Sequence, residues 1–210
     1  MKKLVLVGGG GHCRAAIDVI EMEGKFRIAG IVDTKEKLGT RALGYEIFAT
    51  DDDLRRLVKE FRHFIVTVGQ IKTATRRKEL YEELKSLGAV LPVIISPLAH
   101  CSRHAEAGEG TIIMHHALVN SGARIGKNCI LNTSCVVEHD SVIGDHCHIS
   151  TGCLVNGGCQ VGEGTFLGSN SVLANDISVG RNIVLGAGSA VVSPIRKKGT
   201  YAGNPARRLG

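Results

Sequence analysis

An aliphatic residue recurs at every sixth position from residue 113 to residue 191 without interruption. The positions are Ile113, Val119, Ile125, Leu131, Val137, Ile143, Ile149, Val155, Val161, Leu167, Leu173, Val179, Leu185 and Val191. A six-residue period fits neither an α-helix nor the plain alternation of a strand. It fits a β-solenoid whose coils each have three flat faces of about six residues. The spacing therefore predicts a left-handed parallel β-helix, in which residues three hexads apart lie one above the other.

Glycine follows every third aliphatic position, and the same phase reaches back to Gly108. These glycines are Gly126, Gly144, Gly162 and Gly180. A spacing of three hexads places these glycines at the same corner of successive coils. Because glycine has no Cβ and adopts positive φ readily, we expect these residues to take positive φ at that corner.

Most of the seven cysteines share one position of the hexad, which small residues occupy in other coils. They are Cys129, Cys135, Cys147, Cys153 and Cys159. The chain has no CxxC pair and no sign of an extracellular context, so neither metal nor disulfides are indicated. We predict that these thiols are small buried groups inside the coils.

Residues 1–95 follow another pattern, in which short apolar strands alternate with amphipathic helices. Strands are predicted at 4–7, 28–32, 64–68 and 91–95, and helices at 12–23, 51–59 and 73–87. Such alternation predicts a small Rossmann-like α/β domain with a parallel sheet. The predicted organisation is this domain at 1–95, a junction at 96–106 around Ser96-Pro97, the β-helix at 107–193 and a tail at 194–210.

Composition excludes several classes of function. No run approaches 18 apolar residues, and the apolar run near Met1 is too short for a signal peptide, so we expect a cytoplasmic protein without membrane contact. The formal net charge of +6 suits anionic ligands. Binding of single-stranded nucleic acid also requires aromatic residues among the basic ones, and this chain lacks that pattern. Towards the end of the chain, basic residues cluster at 196–198 and 207–208. This cluster can be interpreted as a site for cofactor phosphates or as a solvated surface.

A glycine loop separates the first predicted strand from the first helix, at Gly8, Gly9, Gly10 and Gly11. In this setting phosphate oxygens meet backbone N–H groups at a helix N-terminus. The third glycine of the dinucleotide fingerprint is replaced by Cys13, so a nucleotide or nucleotide sugar is favoured over a redox dinucleotide. A plain tight turn is the other interpretation. Asp33 ends the second strand, where a ribose or base hydroxyl is often bound.

A second candidate site lies in the solenoid, where His139 occupies a corner beside Asp140. A histidine with a carboxylate neighbour has the titration point and the fixed tautomer that a general base needs. Gly157 lies three hexads later, so its backbone N–H is expected beside His139, open to a carbonyl oxygen. A base next to an oxyanion donor suits acyl transfer, whereas a solvated surface histidine is the alternative.

Metal ligation is the remaining use for the histidines. Some β-helix carbonic anhydrases bind zinc between subunits through three histidines, two of them five positions apart on one coil. Five positions after His139 this chain has Gly144, and five after His115 it has Asn120. We therefore predict no metal site.

Together these motifs resemble bacterial nucleotide-sugar and sialic-acid acetyltransferases of the left-handed β-helix class. Among these, the chain is most similar to the N-acetyltransferases that act on UDP-4-amino-sugars in bacillosamine-type pathways. The resemblance runs through Gly8–His12, Ser96-Pro97, Asn132, Glu138-His139-Asp140, His148 and Gly203-Asn204-Pro205-Ala206.

The resemblance implies direct acetyl transfer from acetyl-CoA to an amino sugar linked to a nucleotide. It makes His139 the general base and Asp140 its acidic partner. Asn132 and His148 would line the acetyl pocket, and Gly157 N–H would bind the thioester carbonyl.

The same resemblance implies a homotrimer with acetyl-CoA between neighbouring solenoids. The nucleotide sugar would face Gly8–Gly11, His12 and Asp33. Two alternatives stay open: an O-acetyltransferase acting on sialic acid or a similar sugar, and a non-catalytic scaffold that binds nucleotide sugar or CoA.

Overall fold

The computed structural model describes residues 1–209 and confirms an α/β domain followed by a parallel β-helix. The α/β domain consists of β1 (Lys2–Val7), α1 (Gly11–Glu23), β2 (Phe26–Asp33), β3 (Arg41–Ala42), β4 (Tyr45–Thr50), α2 (Leu54–Glu60), β5 (His63–Val66) and α3 (Thr75–Ser86), with 3-10 turns at Lys35–Lys37 and Asp51–Asp53. Its sheet has the order β3-β4-β2-β1-β5 and is parallel except for β3.

Strand β1 lies inside this sheet and is covered on both faces. Leu4 and Leu6 pack in one apolar cluster with α1. Val5 and Val7 pack in a second cluster with α2 and α3. Burial on both faces is why β1 is apolar throughout Leu4 to Val7 instead of alternating.

The prediction omitted β3 and β4, although β4 carries a strand signal. Ile47 and Ala49 are buried while Glu46 is exposed, which is the alternation of a half-buried strand. These two strands extend the sheet beyond β2 and bring the 3-10 turn at Asp51–Asp53 towards the carboxyl ends of the strands.

The β-helix consists of three sheets that are parallel except for β24. Up to β22 their strands pair at a register of three hexads, as in Ile130↔His148 and Val136↔Leu154. Its strands are β6 (Ile94–Ile95), β7 (His100–Cys101), β8 (Glu106–Ala107), β9 (Ile112–Ile113), β10 (Leu118–Val119), β11 (Arg124–Ile125), β12 (Ile130–Leu131), β13 (Val136–Val137), β14 (Val142–Ile143), β15 (His148–Ile149), β16 (Leu154–Val155), β17 (Gln160–Val161), β18 (Phe166–Leu167), β19 (Val172–Leu173), β20 (Ser178–Val179), β21 (Ile183–Leu185), β22 (Ala190–Val191), β23 (Gly199–Ala202) and β24 (Arg207–Leu209). Every predicted aliphatic position is buried, and so are the five hexad cysteines, as predicted.

The solenoid begins earlier and ends later than the aliphatic hexads indicate. Strand β6 pairs with β9, so the strand predicted at 91–95 belongs to the β-helix and not to the α/β sheet. The segment predicted as a junction, 96–106, contains β7 and the start of β8, which pair with the next coil. Its hexads were hidden because Cys101 and Ala107 fill the inward positions where later coils have larger side chains. The predicted tail, 194–210, adds β23 and β24 to one sheet.

The glycines of the three-hexad spacing do not take positive φ, contrary to our expectation. They are required because successive coils approach closely: a Cβ on Gly126 would lie 2.7 Å from the carbonyl carbon of Gly144, and one on Gly144 would lie 2.7 Å from Glu163 N. Positive φ occurs at other corner positions, which include several Asn and Asp residues, such as Asp140. Short polar side chains tolerate that conformation.

The three faces of the solenoid have different surroundings. The docked face points Ile94, Ile112, Ile130, His148, Phe166 and Val184 towards the α/β domain, where Ile94 and Ile112 share a cluster with α1. The aliphatic face points Leu118, Val136, Leu154, Val172 and Ala190 outward, all of them half-buried. The exposed face carries Glu106, Arg124, Val142, Gln160 and Ser178. Within residues 1–209, no helix combines the length and apolar character needed to cross a membrane.

Candidate functional site

A cavity of about 360 Å³ opens at the carboxyl ends of β1, β2 and β5. It is lined by Gly8, Gly9, Gly10, Gly11, His12, Asp33, Thr34, Lys37, Asp51, Thr67, Val68, Gly69, Arg76 and Leu80. All six residues predicted to face a nucleotide sugar therefore lie around one cavity. The edge where parallel strands end is the usual ligand site of such sheets.

Two of the loop glycines are needed for close packing, and the other two are open to the cavity. A Cβ on Gly8 would lie 2.5 Å from a side chain of the loop after β5, and one on Gly9 would lie 2.9 Å from Asp33 Oδ2. At Gly10 and Gly11, no atom beyond the adjoining residues and the backbone of α1 lies within 4 Å of the position that a Cβ would take. Gly10 is the N-cap of α1, no side chain caps this helix, and its first turn has no acidic residue. The backbone N–H groups at this end of α1 are therefore suited to bind an anion.

Asp33 supports the glycine loop, a role that the sequence did not reveal. Its Oδ2 accepts hydrogen bonds from Gly9 N–H at 2.6 Å and Lys37 Nζ at 2.8 Å, and Oδ1 accepts one from Thr34 N–H at 2.7 Å. Burial opposes ionisation of the carboxyl, but these donors outweigh it and lower the pKa of Asp33. The carboxylate is thus engaged before any ribose contact is made.

His12 presents an unused polar atom at the inner side of the cavity. Its Nε2 is buried and has no hydrogen-bond partner within residues 1–209. Burial lowers the pKa of His12 to about 3, so the ring is neutral at physiological pH. A neutral imidazole whose buried Nε2 has no partner is suited to a hydroxyl or amine of a ligand.

His139 stands exposed at the corner between the aliphatic and exposed faces. Its Nδ1 lies 2.9 Å from Asp140 Oδ2, and this hydrogen bond raises the pKa of His139. A Cβ on Gly157 would lie 2.7 Å from His139 Nε2, so the ring packs directly against the Gly157 backbone. The predicted stacking of Gly157 and His139 is therefore present, and Nε2 is left to meet a ligand.

Asn132 and His148 form a second group, at the edge of the docked face. Asn132 Nδ2 lies 3.2 Å from His148 Nε2, and His148 Nδ1 lies 2.8 Å from the backbone oxygen of Gln70. Burial lowers the pKa of His148 to about 4. The ring also packs edge-on against Phe166 at a centroid distance of 5.2 Å. His148 is close enough to His12, which lines the cavity of the α/β domain, to contribute to the lowered pKa of His12, so this group adjoins that cavity.

Within one chain the two groups are apart. Strand β13 (Val136–Val137) follows Asn132 and precedes His139, so the aliphatic face separates them. Seven positions at about 3.3 Å per residue give a chain path of about 23 Å between the two residues, which the turns at the corners shorten. The sequence did not indicate this separation, because the hexad period aligns residues along the solenoid axis and not across a face.

Two residues at the domain interface were missed by sequence reasoning. The backbone oxygen of Gln70 is hydrogen-bonded to His148. Arg77, on α3, is buried and donates a hydrogen bond to the side-chain oxygen of Gln70. Arg77 falls in the helical register of Leu80, Tyr81 and Leu84, all of which are buried. A charged residue in an apolar register was the available signal for Arg77. Gln70 lies in a loop and carried none.

Two further histidines, His115 and His146, have protein partners. His115 lies 2.7 Å from both Ser96 Oγ and Asp18 Oδ2, and His146 Nδ1 lies 2.9 Å from Asn128 Nδ2. Among residues 1–209, no three His, Cys, Asp or Glu side chains are grouped as metal ligands would be.

Two family models match the two parts of the chain. Residues 3–84 match the PglD N-terminal domain. Residues 122–157 match the bacterial transferase hexapeptide model. A curated relative, the UDP-N-acetylbacillosamine N-acetyltransferase of Bacillus subtilis (strain 168), is 36% identical over 118 residues. That alignment covers 54% of this chain and 52% of the relative, so it spans about half the length of that protein.

Solved structures match over nearly the full length. The acetyltransferase domain of PglB from Neisseria gonorrhoeae FA1090, in complex with acetyl coenzyme A, is 30% identical with a TM-score of 0.93 and covers 99% of each chain. A mutant of perosamine N-acetyltransferase from Caulobacter crescentus, in complex with CoA and GDP-perosamine, is 30% identical with a TM-score of 0.93. It covers 100% of this chain and 98% of its own. The chain belongs to the hexapeptide-repeat sugar acetyltransferases.

Proposed function

We propose that this protein transfers the acetyl group of acetyl-CoA to the amino group of a nucleotide-linked amino sugar. The observation that carries the proposal is His139, whose Nδ1 is held by Asp140 and whose Nε2 faces outward beside the Gly157 backbone. The cavity around the glycine loop supports an acceptor that is bound through its nucleotide part. One relative of similar length, the perosamine N-acetyltransferase, forms a complex with CoA and GDP-perosamine.

In the proposed mechanism, the amine nitrogen attacks the thioester carbonyl carbon as His139 Nε2 removes a proton from it. The carbonyl oxygen becomes an oxyanion, which Gly157 N–H stabilises. The tetrahedral intermediate collapses with cleavage of the C–S bond. The imidazolium returns its proton to the thiolate of CoA, so the products are the amide and free CoA, with no covalent enzyme intermediate.

We further propose that the active protein is a homotrimer in which each site is shared by two copies. His139 and the pair Asn132 and His148 lie at opposite edges of the aliphatic face, too far apart to act on one acetyl group. The half-buried apolar residues of that face suit packing against a second copy. A threefold arrangement would bring His139 of one copy to the docked-face edge of the next, with acetyl-CoA between them.

The test is release of free CoA thiol from acetyl-CoA in the presence of UDP-, GDP- and dTDP-linked amino sugars. We expect release with at least one nucleotide-linked amine and none with the corresponding hydroxy sugar or free sialic acid. His139→Ala should lower kcat/KM by about 100-fold or more, the usual size of a general-base contribution. Transfer to sialic acid alone would support the O-acetyltransferase alternative, and binding without thiol release would support the scaffold.

A further inference from the structure

Arg77 is a buried cation whose hydrogen-bond acceptors within residues 1–209 are neutral. It is 1% exposed, and its guanidinium donates to the backbone oxygens of Asn128 and His146 and to Gln70 Oε1. Burial lowers the pKa of Arg77 to about 10, so the group is still charged at neutral pH. A buried charge without a carboxylate costs stability, so the contacts that it makes need an explanation beyond packing.

Both polar atoms of the Gln70 side-chain amide are hydrogen-bonded. Arg77 can only donate hydrogen bonds, so the amide oxygen of Gln70 must face the guanidinium. The amide nitrogen then donates to the backbone oxygen of Gly164 at 2.8 Å. With its side chain held between α3 and the solenoid, Gln70 has its own backbone oxygen fixed over the docked face.

That backbone oxygen decides the tautomer of His148. A carbonyl oxygen only accepts, so the neutral ring of His148 must carry its proton on Nδ1, 2.8 Å from Gln70 O. Nε2 is then an acceptor, and it faces the Nδ2 amide group of Asn132 at 3.2 Å. Both residues are in the group that we assign to the acetyl pocket.

We propose that Arg77 is a positioning residue for the acetyl pocket, which through Gln70 holds the orientation and the Nδ1–H tautomer of His148. This proposal rests on the proposed function, because acetyl transfer is what assigns His148 and Asn132 to the reaction. Arg77 itself does not line the cavity of the α/β domain. It reaches His148 through Gln70 and also through the backbone oxygens of His146 and Cys147, which lead into β15.

The test replaces Arg77 with methionine, which is similar in length and donates nothing. In protein labelled with ¹⁵N-histidine, we expect the His148 signal, assigned by its loss in His148→Phe, to change from the Nδ1–H tautomer to a mixture. In the thiol-release assay, kcat should fall about 10- to 100-fold, the usual cost of a small misplacement, at an unchanged KM for the nucleotide sugar. Arg77→Lys should restore part of both.

Lys78→Met is the matched control. Lys78 is the next residue of α3 and also joins the domains, through an ion pair of 2.6 Å with Glu163, but it does not contact Gln70. It should keep the tautomer and kcat. If Arg77→Met does not fold, Gln70→Leu takes its place, because it leaves Arg77 bonded to Asn128 and His146.

A folded variant that keeps both the tautomer and kcat would overturn the proposal. A tautomer change in a protein whose wild type transfers no acetyl group would instead reject the proposed function while supporting the control of His148 by Arg77.

Discussion

At the scale of single residues, the reactivity of the proposed base depends on one neighbour. Asp140 lies at a corner position with a φ of 60°, and this conformation holds its carboxylate against His139 Nδ1. The hydrogen bond favours the imidazolium and so raises the pKa of His139. A base with a raised pKa is protonated, and therefore inactive, up to a higher pH.

The pH profile should report this coupling. The acid limb of kcat/KM should lie above the ordinary imidazole value of about 6.5. Asp140→Asn removes the charge that stabilises the imidazolium, so the limb should move to lower pH. The plateau should also fall, by less than the ~100-fold of a lost general base, because the base is weaker. If the acid limb stays at the same pH in Asp140→Asn, Asp140 does not set the pKa of the base. The control is His139→Gln, whose profile should have no acid limb.

At the scale of elements, the coil is the unit that repeats, and successive coils approach closely at the corner of the three-hexad glycines. At this corner the backbones of adjacent coils approach so closely that no Cβ fits between them. The requirement is one of space, so asparagine or aspartate, which serve at the positive-φ corners, would not serve here.

Gly144→Ala should therefore destabilise the solenoid. The added Cβ would lie 2.7 Å from Glu163 N and 3.1 Å from Gly162 C, both backbone atoms that cannot move without shifting a coil. We expect a loss of about 1–3 kcal/mol in the free energy of unfolding, the usual cost of overpacking, measured by denaturant titration at fixed protein concentration. Gly11→Ala is the control, because no atom beyond the adjoining residues and the backbone of α1 lies within 4 Å of the position that its Cβ would take and alanine favours a helix. Equal stability of the two variants would contradict the close-approach explanation.

At the scale of the whole molecule, the α/β domain covers one face of the solenoid and leaves the aliphatic face between the two halves of the proposed site. Three contacts join the domains: Arg77 with Asn128, Lys78 with Glu163, and Asp18 with His115. The cavity and the His148 group therefore form one unit within a chain, and His139 belongs to the opposite edge.

Complementation tests whether the site is shared. His139→Ala and His148→Phe should each be inactive, but trimers assembled from a mixture of the two should regain activity. With equal amounts and random assembly, roughly a quarter of the sites would combine an intact His139 with an intact His148 from another copy. No recovery in mixed trimers would mean that both groups act within one chain.

A second variant connects the activity to assembly. Leu154→Asp introduces a charge on the aliphatic face and should dissociate the proposed trimer to the 22.3 kDa monomer in sedimentation, with loss of transfer. Gln160→Asp, on the exposed face, should leave the assembly intact.

The six-residue period by itself determined the solenoid, the buried cysteines and the stacking of Gly157 beside His139. A strict repeat fixes which residues are neighbours along the axis, so those relations follow from counting. Only the tertiary structure decided that Asp33 supports the glycine loop, that Arg77 and Gln70 hold His148, and that His139 stands across a face from Asn132. These relations join segments that share no period, because they depend on how the α/β domain docks and on the width of a coil.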